Sequence, residues 1–159
     1  MSTNGDGKTI RAMSLWQPWA TLVALGVKRL ETRTWLPPSD LFGGRLLICA
    51  GINDSILKLF DREDCPEEYE PLKRAVRRSL PMGDTFAGSS CLPLGRAVAI
   101  VTVDGAFSAP RALEEQPDQA ALGDFRDGRF AWFFSDVEAL KVPFRVTGKQ
   151  RIFNARLAS

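Results

Sequence analysis

The stretch LWQPWATLVALGVKRLETRTW, residues 15–35, passes from helical to extended patterning within a few positions, and the rest of the fold is read outward from it. Pro18 sits where the first turn of a helix tolerates a missing N–H. Trp19, Leu22 and Val23 fall on one face at helical spacing, and Gly26 suits the C-terminal cap. A short amphipathic helix results. Beyond it the pattern alternates, so RLETRTW reads as a strand with Arg29, Glu31, Arg33 and Trp35 on one side and Leu30, Thr32 and Thr34 on the other. The side chains that carry chemistry are therefore expected to share a face.

Residues 1–10 read as a flexible tail and residues 11–157 as one domain, because a single core typically runs about 100–150 residues and the chain has 159. PPSD and FGG make a loop before a strand, RLLICA, at 45–50. From Asn53 to about Leu80 the chain is helical in character and broken near Pro66, with Tyr69, Leu72, Val76 and Leu80 at helical spacing. The other face carries Lys73, Arg74, Arg77 and Arg78. PMGDTFAGSSCLPLG, residues 81–95, has no period and reads as a mobile surface loop. Strand patterns return in RAVAIVTVDG at 96–105, RFAWFF at 129–134 and PFRVTGKQRIFNA at 143–155, with a short helix near 109–123. Many strands and few helices make the expected fold α+β, a small curved β-barrel with peripheral helices.

Composition narrows the chemistry. A hydrophobic share of 45% with 25% charged residues is that of an ordinary globular chain. No apolar run reaches the roughly 18–20 residues that span a bilayer, and MSTNGDGKTIR lacks the apolar centre of a signal peptide, so a cytoplasmic protein without a membrane partner is expected. The chain has no histidine, which removes imidazole ligands and the Ser-His-Asp and Cys-His forms of catalysis. Cys49, Cys65 and Cys91 are widely spaced and form no CxxC pair; reduced thiols, no metal site and no cofactor are expected. A net charge of +2 does not announce nucleic-acid binding unless the basic residues cluster.

The run at 15–35 resembles the signature segment of the ASCH family, in which a Q-P-W-A-like turn leads into a helix and then G-x-K-x-x-E-x-R. Gly26, Lys28, Glu31 and Arg33 fill that pattern. GGRLLICA, PLGRAVAIVTV, FAWFF and PFRVTGKQRIFN follow in the family's order, so the resemblance covers roughly residues 12–155. It implies a PUA-like β-barrel with a cleft beside the first helix, related to modules that read RNA with little or no metal chemistry. Function varies within the family, so the site has to be argued from its own residues.

Lys28, Glu31 and Arg33 are expected to converge at the end of the helix. The lysine is a compact cation for a phosphate, the arginine a two-pronged clamp, and the glutamate an acceptor for a base edge or a partner that keeps the lysine protonated. Trp16 and Trp35 are the stacking candidates, whereas Trp19 and Trp132 are assigned to packing. Gly148, Lys149 and Gln150 resemble the family's closing motif, with the last two able to face the cleft. The expected ligand is RNA, a nucleotide or a modified nucleoside; the alternatives are a small metal-independent hydrolase with Lys28 and Glu31 as catalytic candidates, and a module for a protein partner. Some ASCH-type proteins resemble amidohydrolases of acetylated cytidine that use a lysine, a threonine nucleophile and a glutamate. Here Lys28 matches the lysine, but Glu31 stands in the threonine's place.

Overall fold

The computed structural model describes residues 7–80 and 92–157. Its first helix, α1 (Trp19–Ala24), ends at a left-handed glycine: Gly26 has φ 75°. The turn lets the Gly26 N–H reach Val23 O at 2.9 Å and brings the N–H groups of Val27 and Lys28 to Leu22 O at 3.0 Å each. A side chain at 26 would be strained by about 1–2 kcal/mol in that conformation. At the other end Gln17 is fully buried. Its Oε1 accepts the Thr21 N–H at 3.0 Å and its Nε2 donates to Pro93 O at 2.9 Å, so a side-chain amide satisfies a helix start that has no hydroxyl or carboxylate cap.

Among the described residues six strands form one sheet: β1 (Thr9–Leu15), β2 (Leu30–Arg33), β3 (Arg45–Ala50), β4 (Arg96–Ser108), β5 (Phe130–Arg145) and β6 (Ile152–Arg156). Their order is β2-β5-β4-β3-β1-β6. Among the described residues only β1 and β3 pair in parallel, with Ala12 opposite Leu47. Helices α2 (Ser55–Phe60), α3 (Glu70–Ser79) and α4 (Ala109–Glu115) and short 3₁₀ turns at Ser39–Leu41, Glu67–Tyr69 and Pro117–Leu122 complete an α+β fold. β2 and β6 are the edges of the sheet, and no ladder joins them. Side chains cross that seam instead: Arg33 Nη2 donates to Ser14 O at 3.1 Å, and the Arg151 guanidinium lies 5.0 Å from the centre of the Trp35 ring.

β3 is buried on both faces, which is why RLLICA is an unbroken apolar run rather than an alternating one. Leu46 and Ile48 join Met13, Val23, Val101, Val103 and Trp132 in the main core, while Leu47 and Cys49 pack with Ala12 and Phe153 on the opposite side. A third cluster of Leu22, Leu57, Phe60, Leu72, Val76 and Leu122 holds α2 and α3 against α1. Burial also pushes the Cys49 thiol up to about 12, so it stays protonated and inert. No helix among the described residues is long and apolar enough to cross a membrane.

Several boundaries differ from the sequence reading. β1 takes in Thr9 and Ile10, assigned there to the tail, and β2 keeps only four of the seven residues in RLETRTW. The helical stretch up to Leu80 divides into α2 and α3 with a 3₁₀ turn before α3, and the helix expected at 109–123 divides into α4 and the turn at Pro117–Leu122. RFAWFF and the start of PFRVTGKQRIFNA belong to one long β5, whose register against β4 shifts repeatedly and which contains Asp136 at φ 46°. Those irregularities break the period of two and conceal the strand's continuity. Residues 1–6 of the expected tail, 81–91 of the expected loop, and Cys91 with them, lie outside the described residues.

Trp132 is fully buried and its Nε1 donates to Trp35 O at 3.2 Å. Trp132→Ala is expected to lower the unfolding free energy by roughly 3–5 kcal/mol in urea denaturation, through the cavity and the orphaned carbonyl.

Candidate functional site: a cleft at the end of the first helix

The Gly26 turn delivers Lys28 to the base of a cleft of about 610 Å³ bounded by the end of β1, α1, β2, the start of α3 and residues 120–124. Lys28 is 98% enclosed, its side chain being only 2% exposed. Its Nζ donates to Leu30 O and to Leu122 O, both at 2.7 Å, and lies 3.9 Å from Glu31 Oε2. Two of the three ammonium protons thus hold the fold together, and only the third is left toward the carboxylate. Gln119, also buried, repeats the stitch, its Oε1 accepting the Arg29 N–H at 2.8 Å and its Nε2 donating to Val27 O at 3.0 Å.

Burial lowers the Lys28 pKa; Glu31 opposes that shift and Arg33 adds to it. Glu31 thus favours the protonated lysine as expected, but loss of hydration outweighs the carboxylate in the net direction of the shift. The role expected for Lys28 at a phosphate is also narrowed, since its ammonium already serves two carbonyls.

Glu31 and Arg33 both line the cleft, on the same side of β2. Glu31 Oε1 is 3.6 Å from Arg33 Nε, which is longer than a hydrogen bond. Ser14 Oγ, Glu31 Oε2 and Arg33 Nε are buried and have no hydrogen-bond partner among the described residues. Trp16, half exposed, stands at the rim with Trp19 and Tyr69. Across from them Arg129 Nη2 donates to Thr32 O at 2.9 Å and its Nε to Asp124 O at 3.1 Å. Hydrogen bonds from Arg126 hold the Asp124 carboxyl down to about 2.

Other candidates lie elsewhere. Trp35 is not in the cleft lining; it meets Trp132 edge to face at 4.9 Å and takes Arg151 on its ring. Lys149 and Gln150 are exposed and also outside the lining. Gly148 does approach closely, for a Cβ there would sit 2.7 Å from Ser14 Oγ. Arg29 turns away to pair with Asp118 at 2.7 Å. Trp19 combines partial burial with a place in the cleft wall. Ser14, Asp124 and Arg129 escape the sequence reading because tertiary contacts between distant segments bring them to one cleft; the D-G at 127–128 marks a turn but not its destination.

Residues 13–144 match the ASCH domain family. Activating signal cointegrator 1 of mouse and of human are each 26% identical to this chain over 141 residues, which is 89% of this chain and 21% of theirs. The chain thus spans about a fifth of the length of those relatives. The crystal structure of ASCH from Zymomonas mobilis superposes with a TM-score of 0.50 over 92% of this chain and 87% of that one, at 12% identity, a likeness of fold.

Because the folded pKa of Lys28 lies below the ordinary 10.5, the unfolded chain binds more protons between the two values. Stability from this group is therefore complete above pH 10.5, falls as the pH drops through the folded value, and rises in the opposite direction. In urea denaturation across alkaline pH, the difference between wild type and Lys28→Met is expected to move in favour of wild type as pH 10.5 is approached. A difference that does not vary with pH would contradict it.

Proposed function

Since the chain belongs to the ASCH family of PUA-like RNA-binding domains, we propose that the cleft at the end of α1 binds single-stranded RNA, or a nucleotide or nucleoside of the same chemistry, through one inserted base. The observation that carries this reading is that three of the unpartnered buried polar atoms, Ser14 Oγ, Glu31 Oε2 and Arg33 Nε, belong to residues of the cleft lining. Each buried atom left without a partner costs about 1–3 kcal/mol, which a ligand that supplies the missing bonds recovers. The carboxylate only accepts, the guanidinium only donates and the hydroxyl does either, so the matching ligand presents a donor beside an acceptor. The edge of a nucleobase does so. Trp16 at the rim offers a ring face for stacking, and the cleft volume lies within the roughly 300–1,000 Å³ of small-molecule sites. The base has to be unpaired, since pairing occupies that edge.

The hydrolase alternative fits less well. Glu31 occupies the threonine position, and a carboxylate attacks an amide only by way of a labile anhydride. Thr32 is buried, and the Arg129 guanidinium lies 3.4 Å from its hydroxyl. Purified protein is expected to leave acetylated cytidine intact; turnover abolished by Lys28→Ala would place the protein among the enzymes.

Binding is tested by fluorescence anisotropy with labelled single-stranded RNA. Arg33→Ala is expected to weaken it by about ten- to a hundredfold, corresponding to about 1.5–3 kcal/mol for a charged hydrogen bond. Affinity should also fall with salt. An unchanged affinity in Arg33→Ala would move the site out of this cleft.

A further inference from the structure

A second groove, of about 570 Å³, lies on the other side of Pro71, Ala121 and Leu122, which line both it and the first cleft. Arg74 and Arg78 line the far side. They are four residues apart on α3, so their side chains leave the same face of the helix. Both residues are exposed, and neither has a carboxylate partner among the described residues. The acid in the groove lining, Asp118, is engaged by Arg29 Nη2 at 2.7 Å and by Gln119 Nε2 at 3.2 Å. Lys73, by contrast, sits 3.9 Å from Glu70 and does not line the groove.

We infer that this groove is a phosphate subsite continuous with the cleft, so that the ligand is a strand of at least two nucleotides, with the base in the cleft and the adjoining backbone carried over the Pro71–Leu122 ridge to Arg74 and Arg78. The inference rests on the base-binding reading of the cleft. Two like charges four residues apart repel one another, and an anion between them turns that repulsion into two attractive contacts. Guanidinium forks suit phosphate oxygens, which accept two parallel hydrogen bonds. The ridge itself offers small or apolar side chains and no charge of its own, so nothing on it holds a backbone that crosses. A free nucleoside satisfies only the first cleft.

The test measures the affinity of the full chain for oligocytidylates and oligouridylates of one, two, four and eight nucleotides at several salt concentrations. Wild type is expected to gain tenfold or more between one nucleotide and four. Arg74→Ala/Arg78→Ala should abolish that gain, keep the affinity for the mononucleotide, and flatten the logarithmic salt slope by about 0.7 for each arginine lost. Arg77→Ala, which removes the same charge from a position outside the groove, should keep the gain. Affinity that does not change with length, or equal losses in Arg77→Ala, overturns the inference. So does displacement of the longer RNAs by polyglutamate of matching charge with equal affinity, which would make the groove a site for acidic protein. Failure of the cleft reading looks different, since Arg33→Ala would then leave every length unaffected.

Discussion

The ammonium of Lys28, buried between the carbonyl oxygens of Leu30 and Leu122, is the constraint on which the rest of this architecture depends. One carbonyl belongs to the edge strand β2 and the other to the end of a 3₁₀ turn more than ninety positions later. Without the Lys28 amino group the two oxygens would face each other unpaired in an apolar setting, at a cost that neither segment recovers locally. Gln119 makes the same connection with neutral groups, joining Val27 and Arg29 to the turn. The opposing walls of the cleft are thus fixed relative to one another by polar groups rather than by packing alone. A polar network of this kind specifies geometry more than it adds stability, because taking a lysine out of water consumes much of what its hydrogen bonds return.

The charge pattern in the cleft follows from the same economy. Glu31 lies between Lys28 and Arg33 without a full hydrogen bond to either, so its carboxylate is electrostatically compensated but geometrically free. Asp124, on the opposite wall, is engaged by Arg126 and Arg129 and has little capacity left for a ligand. Two carboxylates at one site therefore differ in availability. Recognition falls to the partner that is compensated at a distance, because it can exchange a weak contact for a strong one.

How much of this was legible in the sequence differs from segment to segment. The helix at 19–24 and its glycine cap could be read because both rest on local backbone preference. Strand alternation correctly put Glu31 and Arg33 on one side of β2 and in the cleft lining, yet the same rule failed for Arg29 and Trp35, which lie just outside the four residues that hold strand geometry. A period of two is valid only as far as the ladder extends. The family pattern G-x-K-x-x-E-x-R located Lys28, but not its carbonyl partner at Leu122, which no local signal foretells. Lys149 and Gln150 were placed by the resemblance alone, and in the structure it is their neighbour Gly148 that approaches the site, by close packing on Ser14. Asp124 and Arg129 are brought to the cleft by tertiary contacts, so they have no counterpart in periodicity.

Arg33 occupies two roles at once. One arm of its guanidinium closes the open seam of the sheet at Ser14 O, and the Nε of the same group is the unpartnered donor on the cleft floor. The molecule's recognition chemistry and its mechanical closure therefore share a single planar ion, with a fixed angle between the two bonds it can make. No other side chain fills both roles: lysine keeps the charge but has one nitrogen to divide between them, and glutamine keeps a donor but neither the reach nor the charge. A sheet that relied on a sixth ladder for closure would have left this residue free to vary with the ligand.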